Sequence, residues 1–211
     1  EIMPSLVGSE MCIRDSWDDS RNKLEEVFAR CMGAEAALVR PQFMSGTHTL
    51  TVALFGLLRT GDTLLAATGR PYDTLEGVIG IGEAGKGCGT LREYGVQYDE
   101  CPLLPDHMPD YAMIAEKAKT ATVVHIQRSR GYTQRNAFDL ETIRKVAETA
   151  RAANPKAVIF VDNCYGEFTQ IQEPLAVGAD LMAGSFIKNP GGGLAPIGGY
   201  ICGTKECVDR C

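Results

Sequence analysis

The 211-residue chain carries 21 Lys and Arg against 27 Asp and Glu, a net charge of −6, with 45% hydrophobic and 23% charged residues. These proportions suit one sizeable soluble domain and exclude a disordered chain. The acidic balance argues against a nucleic-acid partner, and no apolar run approaches the roughly 18 to 20 residues that span a bilayer, so no membrane partner is expected.

In chain order, Leu6-Val-Gly-Ser-Glu-Met-Cys-Ile-Arg-Asp-Ser16 back-translates without a break into a transposase adapter used in preparing sequencing libraries. Residues 1–16 are therefore expected to be non-native, and they lack the basic start and continuous apolar centre of a signal peptide. From Trp17 to Met32 the pattern is helical, with Leu24, Val27, Phe28 and Cys31 spaced to share one face. After Ala37-Leu-Val-Arg40, Ser45-Gly-Thr47 introduces a helix over Leu50 to Leu58, which Thr60-Gly-Asp ends. A strand at Thr63 to Thr68 follows, then a helix beyond Pro71 through Leu75, Val78 and Ile79, and a glycine-rich loop from Gly80 to Gly89.

Two extended segments are predicted at Thr90 to Tyr94 and Val96 to Cys101, then a helix near Tyr111 to Lys119 and a buried strand at Thr122 to Gln127. Asp139 is the expected N-cap of a helix over Leu140 to Ala153, with Thr142 where a full capping box would have Glu. Asn154-Pro155 stops it, and a strand runs to Asp162. At the far end, Thr204 to Cys211 starts a helix without a stop signal, so the chain is expected to be truncated at both ends. The eight cysteines show no C-x-x-C pair; reduced thiols in a cytoplasmic protein are expected, without a metal site at Cys202, Cys207 and Cys211. Alternating strands and helices predict an α/β sandwich with a mostly parallel sheet, its site at the carboxyl ends of the strands.

Two such ends carry the chemistry. Lys188 follows a short strand-like segment and precedes Gly191-Gly-Gly193, where an amine can be partly desolvated and form a Schiff base. Asp162 closes a buried strand, where a carboxylate can keep a pyridine nitrogen protonated. Pyridoxal phosphate needs both groups together. The glycine run lacks the G-x-x-x-x-G-K and G-x-G-x-x-G patterns of nucleotide loops. Ser45, Gly46 and Thr47 at a helix start suit a phosphate monoester through backbone N–H groups and the helix dipole. On spacing alone, Ser45 reads first as an ordinary N-cap and Ser185 as a satisfied strand residue. His48, in the first helical turn, reads first as structural.

Four segments taken together carry a resemblance: Arg40-Pro-Gln-Phe-Met-Ser-Gly-Thr-His48, Gly69-Arg-Pro-Tyr-Asp-Thr-Leu-Glu76, Phe160-Val-Asp-Asn-Cys-Tyr-Gly-Glu-Phe168, and Asp180 through Lys188-Asn-Pro-Gly-Gly-Gly-Leu-Ala-Pro196. From about Trp17 to Cys211 the sequence resembles the methionine gamma-lyase-like, aluminium-resistance-associated family of fold type I pyridoxal-phosphate enzymes. That resemblance implies a three-layer sandwich, the cofactor-binding large domain over residues 17–211, with the C-terminal small domain absent. It implies pyridoxal 5'-phosphate held by Ser45, Gly46, Thr47, Tyr72, Asp162, Ser185 and Lys188.

Tyr72 is implied to stack on the ring, and its hydroxyl to protonate a leaving group; with Lys188 and Asp162 it completes the implied catalytic set. Gln127, Ser129, Arg130 and Tyr132 follow a strand end at the same rim and stay unranked. Asn163 and Tyr165 read as supporting groups, while Glu167 and Phe168 read as packing or facing solvent. The implied activity is carbon-sulfur lyase chemistry on sulfur amino acids by gamma- or beta-elimination; an aminotransferase and a non-catalytic scaffold are the alternatives. The substrate-carboxylate arginine is expected in the missing domain, the full-length protein is expected to be a homodimer or homotetramer, and this fragment is expected to be weak or inactive.

Overall fold

The computed structural model describes residues 19–211; the segment expected to be adapter-derived lies outside the described residues. In chain order the main elements are α1 (Asp19–Met32), β1 (Ala36–Arg40), α2 (Gly46–Leu57), β2 (Thr63–Ala66), α3 (Asp73–Ile79), β3 (Gln97–Glu100), α4 (Tyr111–Lys117), β4 (Val123–Gln127), α5 (Leu140–Ala153), β5 (Val158–Asp162), β6 (Leu181–Ser185), β7 (Gly199–Gly203) and α6 (Lys205–Asp209). The strands form one seven-stranded sheet in the order β1-β7-β6-β5-β4-β2-β3. All neighbours pair in parallel except at β7, which runs against both β6 and β1. Ser185 pairs with Gly199 where β6 meets β7, so the segment bearing Lys188 joins two adjacent strands.

Successive strand residues face opposite sides, and both sides are covered. Leu65, Val124, Ile126, Ile159, Val161 and Met182 pack with α1 and α5 residues such as Phe28, Ile143 and Val146. Leu64, Val123, Phe160, Leu181 and Ile201 pack against Leu50, Leu54 and Leu57 of α2. Coverage of both faces explains why β4, β6 and β7 are buried along their whole lengths and read as nearly unbroken apolar runs. The result is the α/β three-layer sandwich expected of a fold type I large domain.

Three local expectations change. The buried face of α1 is Phe28, Ala29 and Met32, while Leu24, Val27 and Cys31 are exposed. Phe28 sets that rotation by packing on the rings of Phe186 and Tyr200. Residues 90–95 form turns and no strand: Tyr94 N–H bonds back to Thr90 O, and the Glu93 carboxylate gathers the N–H groups of Gly87, Gly89 and Thr90. Helix α2 begins at Gly46, four residues before Leu50, because Ser45 Oγ accepts the His48 N–H and starts the helix there.

Gly184 in β6 shows how tightly the sheet meets the loop after β5. A Cβ there would collide with Glu167 Oε1 and Tyr200 Oη, both deeply buried. Gly184→Ala is expected to lower unfolding free energy by about 1–3 kcal/mol in a urea titration, the usual cost of overpacking. An unchanged midpoint and slope would show that the notch is loose.

Candidate active site

The carboxyl ends of the parallel strands converge on one cavity of about 230 Å³. This is just under the usual range of small-molecule clefts, about 300 Å³ upward, as suits a single-ring ligand. One wall is the start of α2. Ser45 has an extended backbone, and its hydroxyl satisfies the His48 N–H. The first N–H groups of a helix have no intrahelical acceptor, and Gly46 and Thr47, the first residues of α2, line the cavity. A Cβ on Gly46 would press on Cys164 Sγ at 3.1 Å, so the glycine keeps this wall open.

Tyr72 follows β2 at the point where the strand order reverses: the chain leaves β2 toward β3 on one side and continues through β4, β5 and β6 on the other. Its backbone N–H donates to Gln127 Oε1 at 2.9 Å, and its hydroxyl lies 2.9 Å from Thr47 Oγ1. Burial, reinforced by the Asp162 carboxylate, pushes the phenol up to about 12, so it keeps its proton at neutral pH.

Asp162 closes β5 and is 2% exposed. Burial pushes its carboxyl upward, opposed by the Cys164 N–H at 3.1 Å and by the charge of Lys188. Lys188 lies three residues beyond β6, half-buried, with its Nζ 3.7 Å from the centre of the Tyr165 ring. Such a cation on an aromatic face is attracted by the ring quadrupole.

Of the seven residues assigned to the cofactor, Ser45, Gly46, Thr47, Tyr72, Asp162 and Lys188 line this cavity together. Ser185 is set behind it: the side chain is fully buried, its hydroxyl donates to Gly198 O and accepts from Ile187 N. His48 is exposed, and its Nδ1 accepts the Met44 N–H, which matches the structural reading.

The unranked rim separates cleanly. Ser129 and Tyr132 line the cavity, Gln127 supports Tyr72 from behind, and Arg130 is exposed outside the lining. The sequence reading missed Gly131, Cys164 and Ile187 as lining groups, and Tyr165, read as a supporting group, lines the cavity as well. Cys164 is two residues beyond Asp162, and that spacing across a tight turn is the signal that would have found it.

Behind the cavity lies a buried polar network that sequence alone does not show. Arg128 donates to Asn163 Oδ1 at 2.7 Å and Gly166 O at 2.9 Å, and sits 3.6 Å from the Glu173 carboxylate. Arg135, also buried, donates to Gln127 O and to neighbouring carbonyls and covers the Phe138 ring; burial brings its guanidinium down to about 10. Glu167 is 1% exposed. Its Oε1 accepts the Tyr200 hydroxyl at 2.9 Å, its Oε2 has no hydrogen-bond partner, and burial pushes the acid up to about 7. Glu167 therefore packs, while Phe168 faces solvent.

The donor set fits a phosphorylated pyridine aldehyde: a helix start for the phosphate, a phenol at the side, and a buried carboxylate and an amine on the same lining. Among the described residues, no helix is long and apolar enough to cross a membrane.

Known proteins resemble this chain over nearly all of its length. A Listeria monocytogenes protein described as a candidate cystathionine beta-lyase involved in aluminium resistance is 49% identical, with a TM-score of 0.89 over 92% of this chain and 49% of that one. A carbon-sulfur lyase involved in aluminium resistance from Clostridium novyi is 47% identical, with a TM-score of 0.87 over 92% and 46% of the two chains. The uncharacterised Bacillus subtilis protein YnbB is 47% identical over 195 residues, which make up 92% of this chain and 46% of YnbB. The chain thus spans about half the length of these relatives. Since the methionine gamma-lyase family profile matches residues 15–211, nearly the whole chain, the protein belongs to that family.

Proposed function

We propose that this chain is the cofactor-binding large domain of a pyridoxal-phosphate-dependent carbon-sulfur lyase that acts on sulfur amino acids by gamma- or beta-elimination. The observation that carries the reading is the lining of one cavity by the Asp162 carboxylate, the Lys188 amine and the α2 start. In this reading Lys188 carries the cofactor, Asp162 pairs with its ring nitrogen, Ser45, Gly46 and Thr47 take the phosphate, and Tyr72 covers the ring. Bound there, pyridoxal phosphate supplies an electron sink for charge developing at the substrate Cα.

The remaining work is proton handling by the chain. The Lys188 amine, once free, removes the Cα proton and is close enough to the Tyr165 ring to rest there when charged. Tyr72, protonated at neutral pH, delivers a proton to the departing sulfur. Its bond to Thr47 holds the hydroxyl at the cavity side of β2. The substrate carboxylate is assigned to an arginine in the half of the relatives that this chain does not span. The exposed apolar residues Tyr132, Tyr165, Ile187, Leu194 and Ile197 near the strand ends support assembly with a second copy.

A longer protein spanning the full length of the relatives tests the reading. Given a sulfur amino acid, it is expected to release ammonia and a 2-oxo acid without any added amino acceptor, and Lys188→Ala is expected to abolish both this and the visible band of lysine-bound cofactor. Strict dependence on an acceptor would make it an aminotransferase. A folded wild-type protein with no visible band would make it a scaffold.

A further inference from the structure

The two groups on which the proposed function depends sit on different loops, Asp162 at the exit of β5 and Lys188 beyond β6. Their relative placement is set by whatever joins those loops. Asn189, next to the lysine, supplies a join: its Nδ2 donates to Tyr165 O at 3.0 Å and to Glu167 O at 3.2 Å. A carboxamide nitrogen has two N–H donors, and both go to the same neighbouring loop.

That receiving loop is itself held firmly. Gly166 O accepts from the buried Arg128 guanidinium, Phe168 N–H donates to Glu173 Oε1 at 2.7 Å, and the Glu167 carboxyl meets Tyr200 of β7. Tyr165 and Phe168 hold φ of +67° and +59°, a region that side chains rarely adopt. Such backbone persists only where the surroundings over-determine it. The same loop presents the Tyr165 ring to the Lys188 amine. Lys188 is thus held on two sides, its main chain through the neighbouring asparagine and its amine through the ring.

We propose that Asn189 is a positioning residue that fixes the Lys188 amine relative to Asp162 for covalent capture of the cofactor aldehyde. Capture joins the amine nitrogen to the aldehyde carbon, and the aldehyde oxygen leaves as water with the two hydrogens of the neutral amine. The rate depends on the approach of two atoms, and misplacement by about 1 Å is enough to cost about 10²-fold in such a step. This inference rests on the proposed function.

The test uses the longer protein, freed of cofactor and mixed with pyridoxal phosphate, with Asn189→Ser, Asn189→Ala and Asn189→Asp compared. Three quantities are followed: growth of the visible band, cofactor retained non-covalently by a Lys188→Ala background, and thermal midpoint. Capture is expected to slow by at least about tenfold in Asn189→Ala. Asn189→Ser, with one donor, is expected to fall between it and wild type. Asn189→Asp matches asparagine in shape but lacks the donors and sets a carboxylate against two carbonyl oxygens, so it is expected to be no faster than Asn189→Ala. Non-covalent retention is expected to stay at its Lys188→Ala level.

Wild-type capture rates in Asn189→Asp would show that shape alone matters and overturn the inference while leaving the proposed function standing. Should Asn189→Ala fail to fold, the order of the serine and aspartate variants decides in the same way. A wild-type protein that forms no band overturns both.

Discussion

Asp162→Asn in the longer protein is expected to lower kcat by about 10²–10³, the usual cost of removing one group that stabilises charge developing in a buried site. The carboxamide keeps the acceptor for the Cys164 N–H, so the turn at the end of β5 is preserved. On the proposed function it would not keep a ring nitrogen protonated, so the sink for Cα charge would be weakened while Lys188 and the α2 start stay in place. Burial raises the Asp162 pKa, so its ionised form is disfavoured in the fold; that penalty is absent below the unfolded-state value and grows as pH rises through the folded one. The variant should therefore be slower and, at neutral pH, more resistant to urea. Equal losses of rate and stability would show that Asp162 acts as a structural cap.

Glu167→Gln isolates the second large effect. The folded-state pKa of about 7 lies well above the ordinary value of 4.5, so the folded protein binds more protons than the unfolded chain between those limits. Stability in the wild type is therefore lost as pH rises through that window, and glutamine, which cannot ionise, escapes the loss. The expected gain is near zero at about pH 4 and reaches about 3 kcal/mol above pH 7, at about 1.4 kcal/mol per pKa unit. Glutamine retains an oxygen for the Tyr200 hydroxyl, which keeps the comparison clean. Urea titrations of both proteins across that range decide it. A gain independent of pH would mean that packing, rather than buried charge, separates them.

What could be read from the sequence follows the range of the forces involved. Helix α5 was legible to the residue because its signals are local: Asp139 caps it through the Thr142 N–H, and Asn154-Pro155 stops it. The end of β5 at Asp162 was equally local. The fold followed from alternating elements, and β7 alone runs against its neighbours.

Some misreadings arose where distant partners overrule local pattern: the face of α1 depends on Phe28 reaching Tyr200. The turns at 90–95 were missed for a local reason, the Glu93 carboxylate gathering three N–H groups within six positions. Glu167 was rightly read as packing or facing solvent, but its carboxyl's partner was out of local reach, since Tyr200 is 33 positions away. Arg128 and Arg135 gave no signal as buried charges. Their acceptors are mostly carbonyl and amide oxygens, which no charge pattern in a sequence reveals.

The reversed direction of β7 has a bearing on how this protein tolerates change. Because β6 and β7 are laddered side by side, the stems of the segment that bears Lys188 are anchored within a single rigid lattice, with Ser185 facing Gly199 across it. Additions or deletions around Gly192 and Gly193, at the open tip where nothing crowds the backbone, leave those anchors in place. A one-residue slip in either strand would instead turn that strand's side chains to the opposite face and shift the stem from which the Lys188 segment departs. Variation within this family should accordingly gather at the glycine tip and spare the paired stems.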